Sequence, residues 1–558
     1  MYIRVKSTPN SPRKSIQIVK SVRSGPKVRQ VIVPHVGVAM DDDELEKMRS
    51  LAEYIKSKLS GRTQLSLFTP EQEVRQIMEH RKEPRDPKRL RVNLEEIREQ
   101  QRLIMGIHDV YGTVYEELGL GLILPPSRYR ASNEALFHTV MARIANPESK
   151  RASVRRLEEE FGIRLPLQRV YRMMDQLTDE RIQRLQELAV NRAQGLLREP
   201  LDVLLFDCTT LYFESFVSDE LKQPGYSKDN KFKESQVLLA LMVTPQGLPV
   251  GYEVLPGASF EGHSLLPVLQ GLRARHSLRR VICVADRGML NKDNLEAMEA
   301  EGMYYIVGAK LKQLPKRIQE QALNRDNMSS PDALGVSMQE VEYRGNRVLI
   351  SHSARRAAKD RHDRELAIEK LCAKLKRSGN AKGWLGNRGY QRFLRVEGDA
   401  ELVVDEEKVQ EQERWDGIYG VITNLPDMPA REVMAQYHGL WQVEETFRVT
   451  KHDLQVRPMF HWTPRRIKAH IAIAFMTLLC VRHLEYRTRI QQRKMSPEVI
   501  RQALVQVQCS VVEDQSTKKR YAIPSSMREV AQKLYAVMGL QKSVTPFELP
   551  TKPKRHTV

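Results

Sequence analysis

Two aspartates and one glutamate are the strongest candidates for chemistry in this chain. Asp207 closes the apolar run VLLFD, Asp286 closes VICVAD, and Glu444 lies in the segment AQYHGLWQVEETFRVTKHDL, residues 435–454. In α/β sheets, sites are built at the carboxyl ends of the strands, so an acid there, followed by a loop, is a candidate metal ligand. The alternative is that each aspartate caps the next turn or helix, where this residue is common.

The segment around Glu444 has a helical pattern with two distinct faces. If it forms one helix, at about 100° per residue, the apolar residues Leu440, Val443 and Phe447 form a stripe that packs on a core. Beside the stripe a polar wedge is expected, formed by Tyr437, Trp441, Glu444, Arg448 and Lys451. Glu445 points about 80° away from the reference direction of that wedge. Such a wedge is typical of a helix face that lines a functional site, although an amphipathic helix with a solvated charged face fits the pattern as well.

Three carboxylates that converge from distant positions could hold two hard divalent cations about 3.5–4 Å apart. Such a pair activates a water molecule or a 3′ hydroxyl for in-line attack on a phosphodiester and stabilises the departing oxygen. Without cations, the carboxylates would repel a phosphate. The pattern therefore predicts a metal site.

The charge of the chain indicates the partner. The 558 residues include 90 Lys and Arg against 70 Asp and Glu, a net charge of +20, and residues 1–40 carry eight cations and no acid. This balance favours nucleic acid first and an anionic membrane surface second. The segment IAIAFMTLLCV (471–481) is expected to be a core helix, because it is too short to span a bilayer.

The five cysteines are scattered and form no CxxC pair. They indicate reduced, buried thiols in a cytosolic protein, and argue against a disulfide framework or a zinc site. The N-terminus is basic but lacks a following apolar run, so we expect no signal peptide.

Residues 153–177 have the pattern of two helices joined by a turn at Gly162, with Arg169 and Arg172 on the second helix. This is the pattern of a helix-turn-helix that contacts DNA, although a plain helical hairpin fits nearly as well.

From residue 201, β-rich runs followed by strand–helix alternation predict an α/β domain with a mixed sheet. The chain then divides as follows: a small basic β-rich region (1–60), a mostly helical DNA-binding region (61–200), the first part of a core (201–311), an insertion (312–414), the second part of the core (415–490), and a C-terminal helical region with a basic tail (491–558).

Several blocks of this sequence resemble the DDE transposases of bacterial insertion sequences. LLFDCTTLYFES, VADRGML and YHGLWQVEETFRVTK are similar to the three catalytic blocks, and the third block resembles the Y-x2-R-x3-E-x6-K pattern of the insertion-sequence-four superfamily. The resemblance extends over about residues 130–490. It implies an α/β, ribonuclease-H-like catalytic core with an inserted domain, preceded by the mostly helical DNA-binding region.

Residue by residue, the resemblance implies that Asp207, Asp286 and Glu444 are catalytic and bind two Mg²⁺ ions, for which Mn²⁺ would substitute. Tyr437 and Lys451 match the tyrosine and lysine of the third block, which approach the DNA phosphates. Leu440 replaces the arginine of the block, and Arg448 is expected to supply the missing cation.

Two further DNA contacts are expected. Trp441 matches a position at which a tryptophan stacks on a displaced base, although a tryptophan beside an apolar stripe is more often part of a core. Lys228 in the KDN stretch could touch DNA, although an exposed lysine is the simpler reading.

The resemblance implies a cytoplasmic bacterial transposase that binds terminal inverted repeats, cleaves the ends of its element and joins the 3′ hydroxyls to target DNA. Bringing two ends together requires a homodimer in the active complex, and no membrane is involved. Two alternatives are a structure-selective nuclease with the same core and a DNA-binding relative without catalysis. The three acids argue against the second alternative.

Overall fold

The computed structural model describes most of the chain, with several gaps. The described residues are 1–7, 14–24, 27–39, isolated positions between 45 and 56, 92–198, 201–213, 217–225, 234–259, 269–271, 282–286, 292–377, 393–397, 401–450, 461–541 and 545–549. The segment HSLLPVLQGLRARH, residues 263–276, has a pattern that predicts a helix after a strand, and most of it lies outside this set.

The N-terminal region forms a three-stranded antiparallel sheet in the order β1-β2-β3. Its strands are β1 (Tyr2–Ser7), β2 (Lys14–Ser24) and β3 (Lys27–Ala39). Ile16 and Ile18 are fully buried and cluster with Val36, Ala39 and Ala52. The small sheet predicted from the β-branched runs is therefore present, with a core of its own.

A helical block follows. It begins with a π-helical turn (Ile107–Tyr111), and its helices are α1 (Gly112–Leu118), α2 (Pro126–Ala145), α3 (Lys150–Phe161), α4 (Leu167–Met174) and α5 (Asp179–Leu197). The side chain of Ser149 accepts a hydrogen bond at the start of α3, and Gly162 ends α3 with φ of 68°, a left-handed conformation that costs glycine least. The helix–turn–helix elements of 153–177 are therefore where the sequence predicts them.

The central sheet has eight strands, in the order β10-β11-β14-β9-β8-β5-β6-β7. Its strands, in chain order, are β5 (Val203–Tyr212), β6 (Gln236–Val243), β7 (Pro249–Pro256), β8 (Ile282–Ala285), β9 (Tyr304–Gly308), β10 (Val336–Tyr343), β11 (Asn346–Ser353) and β14 (Ile418–Thr423). Helix α6 (Lys292–Ala300) connects β8 to β9. β5 pairs in parallel with β8 and β8 with β9, whereas the other pairs are antiparallel. This mixed α/β order is consistent with a ribonuclease-H-like core.

Each face of the sheet has its own core. On one face, Leu205, Leu211 and Leu239 pack in a large cluster with the helical block and three later helices. These helices are α10 (Ala430–His438), α11 (Trp441–Arg448) and α12 (Pro464–Gln491). On the other face, Phe206 and Cys208 pack with residues of α5, β9 and β11. Odd-numbered positions of β5 therefore point toward α10 and α11.

The segment predicted as an insertion contributes to the same sheet. β10 and β11 extend it through the antiparallel pairing of β11 with β14. The remaining elements are α7 (Lys316–Leu323), α8 (Ala354–Arg377), β12 (Leu394–Glu397), β13 (Glu401–Val404) and α9 (Glu406–Glu413). The buried Arg364 on α8 donates hydrogen bonds of 2.5 and 2.6 Å to Asp416, at the entry to β14.

The flanks of the chain differ from the sequence prediction. The charged stretch Ile97–Ile104 was expected to be helical, but it forms strand β4. It pairs with β15 (Gln508–Asp514) in a four-stranded sheet that includes β16 (Arg520–Pro524) and β17 (Phe547–Leu549). Only α13 (Pro497–Val505) and α14 (Glu529–Val537) are helical in the described part of the C-terminal region. The pairing partner of β4 lies far along the chain, so its local helical pattern is overridden by tertiary contacts.

Helix α12 confirms the predicted core helix. It is long and apolar enough to cross a membrane by length and composition, but 94% of its most apolar window is buried inside the protein. The five cysteines all lie in the described part of the chain and form no disulfide there, and four of them are buried, as expected for reduced thiols.

The junction of the inserted segment and the core is tight at Gly417. Its φ is 78°, and a Cβ there would lie 2.7 Å from the carbonyl oxygen of Ser353. We expect Gly417→Ala to lower the free energy of unfolding by about 2–4 kcal/mol, because left-handed strain and the backbone clash add. Gly345 is the matched control, since its φ is 76° and a Cβ would meet nothing within 4 Å. Equal denaturant midpoints for Gly417→Ala and Gly345→Ala would contradict this account.

Candidate active site

The two aspartates lie at neighbouring positions of parallel strands. Phe206 of β5 pairs with Ala285 of β8, so Asp207 and Asp286 follow at the same level. Adjacent strands lie about 4.8 Å apart. Asp207 and Asp286 are therefore close neighbours at the carboxyl end of the paired segment of β5 and β8. Asp207 was expected to end its strand, but β5 continues to Tyr212 because residues 207–212 still pair with β6. Asp286 follows β8 directly, as predicted, and is exposed.

The helix predicted around Glu444 is broken. Helix α10 ends at His438, and α11 begins at Trp441 after Gly439 and Leu440. A Cβ on Gly439 would lie 3.7 Å from Cδ1 of Leu205 and 2.9 Å from the carbonyl oxygen of Gln436. Gly439 therefore lies within van der Waals reach of Leu205 on β5. The single-helix angles that place Tyr437 and Trp441 in one wedge do not hold, because the backbone between them is bonded in the tighter i→i+3 pattern, with Leu440 N–H donating to the carbonyl oxygen of Tyr437 at 3.1 Å.

Tyr437 nevertheless reaches the carboxylates. Its hydroxyl donates a hydrogen bond of 3.3 Å to Oδ1 of Asp286. Burial, followed by hydrogen bonding to Tyr419 and the charge of Asp286, raises the pKa of Tyr437 well above its usual value. The phenol therefore stays protonated and can keep donating to the carboxylate. The guanidinium carbon of Arg356 in turn lies 4.5 Å from the centroid of the Tyr419 ring.

Glu444 lies on the exposed side of α11, which packs on β5 and β6. Val443 and Phe447 bury the opposite side of that helix in the main core, and Leu440 packs against the same core at its start. The structural role predicted for Leu440 agrees with this packing. The acid thus stands on a helix that covers the strand carrying Asp207.

These three positions suit a divalent cation by the chemistry of their oxygen donors. Among the residues that the structure describes, no group of three or more His, Cys, Asp or Glu side chains is gathered closely enough to hold a metal ion. The fit therefore depends on two observations: the strand register that joins Asp207 to Asp286, and the placement of α11 over β5.

Arg448 and Glu445 form a bidentate ion pair. The guanidinium donates hydrogen bonds of 2.8 and 2.7 Å to the two carboxylate oxygens of Glu445. The hydrogen bonds from Arg448 are the main reason that the pKa of Glu445 lies below its usual value. Sequence reasoning assigned Glu445 no partner. The pair means that a phosphate would have to share or replace Glu445 in order to reach Arg448.

Trp441 is not a core residue, since 47% of it is exposed. The ammonium group of Lys494 lies 5.2 Å from the centroid of its ring. Both side chains line a cavity of about 190 Å³ together with Glu445, Arg482 and Arg489. An exposed aromatic ring beside cations suits contact with a nucleobase or a phosphate.

The residue that fixes α11 was not found from the sequence. Arg482 of α12, only 4% exposed, donates a hydrogen bond of 2.6 Å to Oγ1 of Thr446 and a second, of 3.4 Å, to the carbonyl oxygen of Gln442. Its other nitrogen donates a hydrogen bond of 2.6 Å to Glu485. These partners lie on different helices, so no local pattern could have revealed the anchor.

The other predicted DNA contacts are distributed as follows. Arg169 and Arg172 lie on the exposed side of α4, whose other side buries Val170, Met173 and Met174. Lys451 and Lys228 lie outside the described residues. The helical block is joined to α12 by ion pairs of Asp175 with Arg466 and of Asp179 with Lys468.

Residues 198–480 match the protein family described as "Transposase DDE domain". This match spans about half of the chain, including all three candidate carboxylates. No curated protein matches the chain.

Three solved structures are similar to the chain. The piggyBac transposase synaptic complex with hairpin DNA is 9% identical, with a TM-score of 0.37, over 72% of this chain and 76% of that chain. The Mos1 transposase paired-end complex with the left transposon end is 14% identical, with a TM-score of 0.14, over 32% of this chain and 57% of that chain. The Mos1 mariner paired-end complex with Mn is 12% identical, with a TM-score of 0.14, over 47% of this chain and 72% of that chain. At these TM-scores the assignment of site residues depends on the geometry of this chain.

The anchor of α11 leads to a stability prediction. Replacing Arg482 by Leu leaves the poorly exposed Glu485 carboxylate without its cation, so we expect a loss of about 3–5 kcal/mol in the free energy of unfolding. The double variant Arg482→Leu/Glu485→Leu should recover part of that loss. Arg489→Ala, at an exposed position of the same helix, should stay within about 0.5 kcal/mol of the unsubstituted protein. Denaturant unfolding measures all three, and an unchanged midpoint for Arg482→Leu would show that Arg482 is not an anchor.

Proposed function

The chain belongs to the DDE transposase family, and from this premise we propose that it binds the terminal inverted repeats of a bacterial insertion sequence of the insertion-sequence-four superfamily. It cleaves the ends of the element and joins the freed 3′ hydroxyls to target DNA. The observation that supports the proposal is the register of β5 and β8, which makes Asp207 and Asp286 neighbours, together with the packing on β5 of the helix that bears Glu444.

In this proposal, Asp207, Asp286 and Glu444 hold two Mg²⁺ ions, for which Mn²⁺ substitutes. Such ions, when bound, activate the attacking oxygen and stabilise the leaving oxygen of a phosphodiester. Carboxylates on strands and on a packed helix are held more rigidly than carboxylates on loops, and this rigidity favours a fixed coordination geometry.

The surrounding residues of the chain orient the acids and the DNA. The hydroxyl of Tyr437 donates a hydrogen bond to Asp286 and so orients that carboxylate. Trp441 offers its exposed ring for stacking on a displaced base, with Lys494 beside it to neutralise a phosphate. Arg448 and Lys451 supply further phosphate contacts, with Arg448 exchanging Glu445 for the DNA.

The net charge of +20 supports a DNA partner. The exposed Arg169 and Arg172 on α4 make the helical block a candidate for reading the ends, and Lys228 is a further candidate contact. Synapsis of two ends calls for a homodimer, acting in the bacterial cytoplasm at the nucleoid.

The first test concerns the three acids. We expect Asp207→Asn, Asp286→Asn and Glu444→Gln each to bind DNA of the element ends but neither to nick nor to join it in Mg²⁺ or Mn²⁺. Affinity comes mainly from cationic contacts elsewhere, whereas chemistry requires the ligands. A plasmid carrying both flanks of the coding region, with a second plasmid as target, reports cleavage and joining separately.

Glu445→Gln is the matched control, one position away on the same helix. It should retain activity within a small factor, because it removes only the partner of Arg448. Robust cleavage by the Glu444 variant would refute the site, and cleavage without joining by the unsubstituted protein would instead indicate a nuclease.

The second test concerns the helical block. Arg169→Ala/Arg172→Ala in the full-length protein should reduce the preference for end DNA over random duplex, as fluorescence anisotropy measures. If both residues contact phosphates, the slope of log affinity against log salt should fall by about 1.8. Arg355→Ala/Arg361→Ala, on the exposed surface of α8, is the control that should bind as the unsubstituted protein does. Identical behaviour of the two double variants would place end recognition outside α4.

A further inference from the structure

The hairpin of β2 and β3 extends beyond the N-terminal sheet. β1 pairs with β2 only as far as Val19, which lies opposite Tyr2. Five further pairs join β2 to β3 alone, from Lys20 opposite Val31 to Ser24 opposite Lys27. At about 3.4 Å per residue, this two-stranded ribbon is about 17 Å long.

The ribbon carries exposed apolar side chains. By the two-residue alternation of β2, Lys20 and Val22 lie on the same face as Ile16 and Ile18. The two isoleucines are fully buried, whereas Val22 is 41% exposed. Across the ribbon, Val31 is 44% exposed on the same face. Val28, which lies opposite Arg23 and therefore on the other face, is 63% exposed. Exposed β-branched residues of this kind are typical of an interaction surface.

The charge of the ribbon is of one sign. Residues 20–32 contain four Lys or Arg and no acid, within an N-terminal segment of 40 residues that has no acid. Lys20 lies opposite Val31, and Val22 lies opposite Arg29. On this face, cations and valines therefore alternate, with the charges on one diagonal. A second copy of the same ribbon would bring like charges together, which disfavours self-pairing.

We propose that the ribbon formed by residues 20–24 and 27–31 is a DNA-binding arm that enters the major groove, in addition to the helical block. The inference rests on the proposed function in its choice of partner. A two-stranded β-ribbon has the width that the major groove, about 12 Å wide, admits. Lys20 and Arg29 contact phosphates on either side, while Val22 and Val31 contact the apolar edges of the bases, such as thymine methyl groups.

The test uses the full-length protein and a mixed-sequence DNA duplex over a series of salt concentrations. Lys20→Ala/Arg29→Ala should lower the slope of log affinity against log salt by about 1.8, since each phosphate contact contributes about 0.9. The charge-preserving Lys20→Arg/Arg29→Lys should keep the slope. Lys316→Ala/Arg317→Ala, which removes two exposed cations from α7, is the control for net charge and should also keep it.

Val22→Ser/Val31→Ser separates base contact from charge. It should weaken binding several-fold and leave the salt slope unchanged, because no phosphate contact is lost. All substituted side chains are exposed, so unchanged circular dichroism and melting temperature are expected for each variant.

Two outcomes would overturn the proposal that the ribbon is a DNA-binding arm. One is an equal salt slope for Lys20→Ala/Arg29→Ala and the unsubstituted protein. The other is that Val22→Ser/Val31→Ser leaves DNA affinity intact but converts an oligomer to a monomer in sedimentation, which would make the ribbon a self-association surface. Either result leaves cleavage and joining by the unsubstituted protein untouched, so failure of the arm is distinguishable from failure of the proposed function.

Discussion

The parallel pairing of β5 with β8 is the constraint on which the candidate site depends. Parallel strands require a crossover connection, and their hydrogen bonds fix which residues lie side by side. A shift of one residue would turn Asp207 to the face occupied by Phe206 and Cys208, which is an apolar core. The burial of those two side chains therefore specifies the register, and the register places the two carboxylates together. The apolar residues of β5 thus determine the position of its acid.

The helix that carries the third acid is positioned by different forces. Val443 and Phe447 bury one side of α11, and Arg482 holds its backbone and Thr446 from α12. Apolar packing alone allows a helix to slide or rotate by a few degrees, whereas directional hydrogen bonds from a buried guanidinium do not. The turn between β6 and β7 adds a contact, because a Cβ on Gly247 would lie 2.7 Å from Oε1 of Gln442. Helix α11 is thereby held by β5, by the turn between β6 and β7, and by α12.

Much of this arrangement could be predicted from the sequence, and the rest depends on contacts between distant segments. The apolar runs around Asp207 and Asp286 predict strands, because burial on both sides of a sheet leaves a continuous apolar pattern. The break at Gly439 is not predictable from the sequence, because the residues on both sides have helical patterns and Gly439 and Leu440 keep helical dihedral angles, so that only the hydrogen-bond pattern changes. Strand β4 was missed for a related reason: its charged residues fit a helix locally, and its partner β15 lies at the other end of the chain. The role of Arg482 likewise depends on side chains from another helix.

The pairing of β4 with β15 also sets the order in which the protein can mature. Strand β4, at residues 97–104, waits for a partner at residues 508–514, so this sheet closes only after the segments between them have been synthesised. Until then, the edge of β4 is unpaired and available to other chains, a known route to aggregation. Contacts of such long sequence separation also slow folding, because loop closure must precede the gain from pairing. A nascent chain of this protein would thus have all the strands of its central sheet before β4 can pair with β15.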